Sequence, residues 1–301
     1  MASPFVTPVI WIAVFFLPAI VVIFTLHREL RVYRSEADLP FTDFLLRPPG
    51  ESTRLAAEAH FEKFTERLML LLATCAVLGV AVANLPSPRQ PAVAAWLLIP
   101  LLAVTVFTAP RMPRLLRKYW NCQLGFKGER LVGEQLNQLL AHGFHVFHDL
   151  PFDGYNIDHV VVGPAGVVVI ETKTRRKWKS RATVYPAHKV RYDGSTLTWP
   201  TGRSDRFGLD QAARNARSLS EWLSRATGEA VVCRPILTLP GWWIDRATKT
   251  TPEVAVISAK ALSRYLAASK LTSLSPAQVT RIAYQLSERC RVPAEPSVRP
   301  R

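Results

Sequence analysis

NIDHVVVGPAGVVVIETK, running from Asn156 to Lys173, consists of two valine- and isoleucine-rich runs around Gly163-Pro164-Ala165-Gly166. Short β-branched runs on either side of such a turn predict a β-hairpin. Its apolar positions are consecutive rather than alternating, which predicts a hairpin covered on both faces. Charges nevertheless stand at its open end. Asp158 lies near the start of the first strand, and Glu171-Thr172-Lys173 closes the second. A turn symmetric about Pro164-Ala165 pairs Gly163 with Gly166, Val162 with Val167 and, further out, Asp158 with Glu171. Directly opposed residues place their Cβ atoms ~5 Å apart. Lys173 shares the face of Glu171, because side chains alternate along a strand. A bulge in the turn would shift this register by one residue and separate the pair.

Two carboxylates held that close repel unless a cation lies between them. A hard divalent ion, Mg²⁺ or Mn²⁺, accepts carboxylate oxygens and retains exchangeable positions for a phosphate. It also supports a nucleophile at neutral pH and neutralises charge on phosphoryl oxygens. A lysine beside the second acid is placed to orient water or stabilise that charge. The same residues could instead form salt-bridged strand ends. A third acid is at hand, because KGERLVGEQLNQLLA (Lys127 to Ala141) has helical spacing, and Glu134 on it could reach the same end of the sheet.

The following segments complete a mixed pattern. FHVFHDL (Phe144 to Leu150) alternates like a strand, and Asp193-Gly194 between KVRY and STLTW predicts a second hairpin. Leu209 to Ala226 reads as a helix with Leu219, Trp222 and Leu223 on its apolar side. VVCRPILTL and EVAVIS read as strands, and two helices close the domain, the last capped by Ser275 with Pro276 in its first turn. The order is helix, three strands, helix, strands, so the fold class is mixed α/β or α+β.

KGERLVGEQL, IDHVVVGPAGVVVIETK and DQAARNA together resemble the nuclease-related domain (NERD), a branch of the PD-(D/E)xK nuclease superfamily, over roughly residues 122–240. The resemblance implies a restriction-endonuclease-like αβββαβ core and metal-dependent hydrolysis of nucleic-acid phosphodiesters. It implies Glu134 as the helix acid, Asp158 and Glu171 as metal-binding acids, and Lys173 as the lysine of the ExK motif. Gln211 matches the polar position on the later helix, with Asn215 four residues on along the same face. Ile157 stands where the wider superfamily often has proline, and no motif position is missing.

Basic residues follow directly in TRRKWKSR, where Arg175, Arg176, Lys177, Lys179 and Arg181 surround Trp178. Cations beside an aromatic suit a nucleic-acid backbone and a stacked base; a solvated charged loop would look the same. Trp242-Trp243 reads as buried packing, and His142, His145, His148 and His159 show no common metal-binding face.

The formal net charge of +15 is unevenly spread: residues 1–110 hold eight basic and eight acidic residues, and residues 111–301 hold thirty and fifteen. The basic half points to an anionic partner, either nucleic acid (DNA favoured over RNA) or an anionic lipid surface. The four cysteines are scattered without a CxxC, so no zinc or disulfide framework is expected. Three uncharged apolar runs, Phe5–Leu26, Leu68–Leu85 and Ala92–Ala109, approach the ~20 residues that a bilayer span requires. Arg28, Arg31 and Arg34 follow the first run, and Arg111, Arg114, Arg117 and Lys118 follow the third. The positive-inside rule then puts the N-terminus outside and the basic domain in the cytoplasm, at the plasma (inner) membrane.

The expected organisation is a span within 1–26, a cytoplasmic loop with a helix at 27–67, and spans at 68–85 and 92–109. A basic linker at 110–121, a NERD-like domain at 122–290 and a disordered tail at 291–301 follow. The expected function is that of a membrane-anchored nuclease. A non-catalytic nucleic-acid-binding module and a scaffold facing anionic lipid are the alternatives.

Overall fold

The computed structural model describes residues 21–22, 24–29, 45–83, 90–178, 181, 183–247, 251–268 and 273–292. In chain order the elements are β1 (Leu45–Leu46), α1 (Glu51–Ala83), α2 (Gln90–Thr108), α3 (Met112–Asn137), a 3₁₀ turn (Gln138–His142), β2 (His145–Phe152), β3 (Tyr155–Gly163) and β4 (Gly166–Thr172). Next come β5 (Lys189–Tyr192), β6 (Leu197–Thr198), β7 (Ser204–Asp205), α4 (Phe207–Thr227), β8 (Cys233–Thr238), β9 (Trp243–Arg246) and β10 (Ala255–Ile257). The last elements are α5 (Ala259–Ala268), α6 (Pro276–Cys290) and β11 (Arg291–Val292). The fold is mixed α+β. Contacts divide it into Met1–Thr42 with Glu58–Tyr119, and Asp43–Ala57 with Trp120–Arg301.

Glu51–Ala81 is the one helix among the described residues that is long and apolar enough to cross a membrane, and its apolar stretch is wholly unburied. It contains the expected run Leu68–Leu85 up to Ala83 and, as expected, continues without a break from the polar stretch before it. The structure therefore supports one candidate span rather than three. The run Ala92–Ala109 coincides with α2, a helix with Pro100 inside it, and most of Phe5–Leu26 lies outside the described residues. The expected linker at 110–121 is helical from Met112, because Pro113 suits a first turn and nothing after it breaks the helix.

The second unit is built on a five-stranded sheet ordered β10-β8-β4-β3-β2, with β2, β3 and β4 antiparallel and β4, β8 and β10 parallel. The β3–β4 ladder runs from Gly163–Gly166 to His159–Ile170, the register expected from the symmetric turn. Both faces are covered. Val160, Val162, Val167 and Val169 pack with Leu219 and Leu223 of α4 and Ile282 and Leu286 of α6. Val161, Val168 and Ile170 pack on the other side with Val132 and Leu136 of α3 and Leu262 and Leu266 of α5. That sandwich explains the consecutive valines: each buried side chain contributes roughly 1.5–3 kcal/mol, whichever way it points.

A four-stranded sheet, β7-β6-β5-β9, forms a second layer that the sequence did not announce beyond the Asp193-Gly194 hairpin. It packs Val190, Tyr192, Leu197 and Trp199 against Leu209 and Ala212 of α4 and Leu237 of β8. Arg291 and Val292, expected in a disordered tail, instead pair with Leu46 and Leu45, and residues 293–301 lie outside the described residues.

The segment before α1 is fastened to this unit by one buried carboxylate. Asp149 adopts a left-handed backbone, φ 50°, uncommon for a residue with a side chain. Its Oδ2 accepts from Arg47 Nε at 2.6 Å, Ser52 N at 3.0 Å and Ser52 Oγ at 2.9 Å, and its Oδ1 accepts from Asn156 Nδ2 at 2.6 Å. Asp149 thereby caps the first turn of α1 from a distant strand. Asp149→Ala leaves Arg47 and the Ser52 amide without their acceptor, and breaking such a buried pair costs about 3–5 kcal/mol. A clear fall in the thermal midpoint of the purified protein is expected.

Candidate active site

The β3–β4 hairpin ends in charge because its last ladder position is closed by a side chain. One step beyond His159–Ile170, Asp158 Oδ2 accepts from the Thr172 backbone N–H at 2.7 Å. Asp158 and Glu171, the residues expected to face each other, are both buried. Lys173 Nζ forms an ion pair with Glu171 Oε1 at 2.6 Å. From α4, Asn215 Nδ2 donates to the other oxygen, Glu171 Oε2, at 3.0 Å.

The third acid is Glu129, not Glu134. Glu134 is 69% exposed and pairs with Arg130 one turn earlier at 3.7 Å, whereas Glu129 is buried on the core side of α3 with Val132, Gly133 and Leu136. The sequence carried the signal: Glu129 stands three, four and seven residues before those positions, the spacing of one helix face, and Glu134 does not. Gly128 makes the approach possible, since a Cβ there would sit 2.0 Å from Thr174 Cγ2. Glu129 Oε1 accepts from Thr53 Oγ1 at 2.8 Å, and Oε2 is buried with no protein hydrogen-bond partner.

The electrostatics follow from desolvating three acids together. Burial, with the Glu171 and Glu129 charges adding to it, holds the Asp158 carboxyl well above the usual range. Burial raises Glu171 as well, opposed by the Lys173 ammonium and the Asn215 amide. Burial pushes Glu129 up to about 7, against the Thr53 hydrogen bond, with the Asp149 and Glu171 charges adding to the rise.

On the α3 side of the sheet, His148 and His159 face each other across β2–β3 with Nδ1 atoms 2.9 Å apart. His148 Nε2 lies 3.1 Å from Asn137 Oδ1, which makes it the donor there. His159 then donates from Nδ1, and its buried Nε2 has no protein partner. Burial holds both imidazoles neutral, His148 down to about 4 and His159 well below its ordinary value.

The basic segment is partly engaged in structure. Arg175 Nη2 donates to Asp205 at 2.8 Å and its guanidinium covers Trp199 at 4.1 Å, so it fastens the second sheet. Arg176 donates to the Trp120 carbonyl at 3.2 Å, and Lys177 binds the Gly241 carbonyl and lies 5.5 Å from the Trp242 ring. Trp178 is 52% exposed with Arg181 over it, and Lys179 lies outside the described residues. The tryptophan pair divides: Trp242 packs on Trp199 as expected, whereas Trp243 is 67% exposed. Sequence reasoning missed Phe207, 65% exposed, whose ring lies 5.4 Å from Lys173 Nζ. Gln211 is half-buried one turn before Asn215.

Residues 124–240 match the family model described as nuclease-related domain, NERD. The match supports the NERD family for this part of the chain, and it spans the three acids, Lys173, Asn215 and the second sheet apart from β9. No curated protein and no solved structure matches the chain. The NERD match stops short of α5 and α6, and it begins well after Thr53.

The donor set suits a hard divalent ion: three carboxylates, one carrying a buried oxygen without a protein partner. Among the described residues, no three Asp, Glu, His or Cys side chains are already gathered as a metal site, and the Lys173 ammonium is the cation next to Glu171. Because Glu129 holds a proton more tightly folded than unfolded, its ionisation destabilises the fold progressively between about pH 4.5 and 7. The two imidazoles act in the opposite sense, losing stability as pH falls below their unfolded value, so the test is a difference. The stability advantage of Glu129→Gln over the metal-free parent should grow as pH rises from about 5 to 7.5, measured by thermal melting at each pH.

Proposed function

We propose that this protein is a membrane-anchored nuclease hydrolysing nucleic-acid phosphodiesters with a divalent metal, Mg²⁺ or Mn²⁺. The observation that carries the reading is the cluster of Asp158, Glu171 and Glu129 beside Lys173, at the end of a buried hairpin within the NERD match. On this reading Asp158, Glu171 and Glu129 would hold the ion, which would neutralise charge on the phosphoryl group and favour deprotonation of the attacking water. Lys173 has a partly exposed side chain and stabilises the negative charge that builds as water oxygen attacks phosphorus and the ester oxygen departs. Asn215 fixes the orientation of Glu171, and Gln211 serves the phosphate side of the same helix face. DNA or RNA is held by Arg176, Lys177, Lys179 and Arg181, with Trp178 and Phe207 as stacking surfaces.

The tether is α1, the one helix among the described residues long and apolar enough to cross a bilayer. The arginines after the first run and the cluster after α2 favour a cytoplasmic, inner-membrane-facing domain. A second reading, binding without cleavage, is favoured by one observation: Lys173 already serves Glu171 as its cation.

Full-length protein in detergent, given Mg²⁺ or Mn²⁺ and a panel of single- and double-stranded DNA and RNA, is expected to cut at least one substrate. Glu171→Gln and Lys173→Ala should each slow that cleavage by about 100-fold or more. Salt-sensitive binding with no metal-dependent cleavage of any substrate would establish the second reading instead.

A further inference from the structure

The polar partner of Glu129 comes from outside the region that matches the nuclease-related family. Residues 45–52 are held on the second unit by independent contacts. β1 pairs with β11, the Arg47 amide donates to the Cys290 carbonyl at 3.2 Å, and Asp149 binds Arg47 and Ser52. The next residue, Thr53, faces α3 at close range: a Cβ at Gly125 would stand 3.1 Å from Thr53 Cγ2. Its hydroxyl reaches Glu129 Oε1 at 2.8 Å and leaves Oε2, buried, as the oxygen without a protein partner.

A glutamate on a helix has several rotamers, and a buried one whose two oxygens were both unpaired would have no preferred orientation. One hydroxyl donor to one oxygen removes that freedom and decides which oxygen remains available. Groups that orient a metal-binding carboxylate in this way typically alter metal affinity 10–100-fold when removed. We infer that Thr53 is a positioning residue: it holds Glu129 so that Oε2 is kept for a divalent cation shared with Asp158 and Glu171. The segment joining residues 45–57 is accordingly part of the site, although it precedes the family match by some seventy residues. This inference rests on the metal-dependent reading of the site.

The experiment is a Mn²⁺ titration of full-length protein in detergent, following free Mn²⁺ by electron paramagnetic resonance at a temperature below the melting transition of every variant. Thr53→Val keeps the shape and removes the donor, and it is expected to weaken Mn²⁺ binding about 10–100-fold. Thr53→Ser keeps the donor and is expected to bind as the parent does. In a Glu129→Gln background, Thr53→Val should produce little further loss, because the two residues act through one contact. Asp158→Asn and Glu171→Gln serve as controls for the site itself. If they abolish binding while Thr53→Val binds like the parent, or if Thr53→Ser is as weak as Thr53→Val, the role of Thr53 is overturned and the metal site stands. If the two controls bind Mn²⁺ as the parent does, the metal-dependent reading falls and Thr53 falls with it.

Discussion

Three carboxylates withdrawn from water at one end of a sheet set the terms for everything around them. Burial disfavours each charge, and each charge disfavours the others, so Asp158, Glu171 and Glu129 are all displaced toward their protonated forms. The surroundings answer with donors, one by one. The Thr172 amide serves Asp158, Lys173 and Asn215 serve Glu171, and Thr53 serves Glu129. A fold selected for stability alone would gain by replacing such a cluster with apolar residues of similar volume. Its presence inside a largely apolar sandwich is the physical ground for reading it as a site.

The sandwich in turn makes that cluster possible. α4 and α6 on one face and α3 and α5 on the other keep water from the hairpin, so its end is desolvated rather than frayed. Two of the same helices deliver side chains as well as cover, Glu129 from α3 and Asn215 from α4. The second sheet adds aromatic and basic groups, and Arg175 and Lys177 spend part of their interaction capacity binding it. Their contribution to any nucleic-acid contact is therefore inseparable from their part in holding Trp199 and Trp242 in place.

Asp149 plays a comparable part for the segment that precedes α1. It faces not a cation shared with other acids but Arg47, Ser52 and Asn156, which supply its donors. Of these buried acids, Asp149 is satisfied by local donors, whereas Asp158 and Glu171 are left with Lys173 as their nearby cation. The difference lies in what the neighbouring segments supply.

The hairpin, its register and the burial of both faces were legible in the sequence, because strand periodicity and a two-residue turn are local and the count across the turn admits one pairing. The cap of α6 and the hairpin at Asp193-Gly194 were legible for the same reason. Glu129 was not picked out from the sequence: two glutamates within GERLVGE fit a family motif equally well, and only the burial of one helix face separates them. The second sheet was not legible, since β6 and β7 are two residues each and β9 joins β5 from across α4 and β8. Nor were the β1–β11 pairing or the reach of Thr53 to Glu129, contacts between residues far apart in sequence that leave no periodic trace. The sequence by itself determined which acids end the hairpin and that they stand side by side, because register is arithmetic. Only the tertiary structure decided which third acid joins them and what holds it there, because that depends on which helix face and which distant segment the core brings to the same end of the sheet.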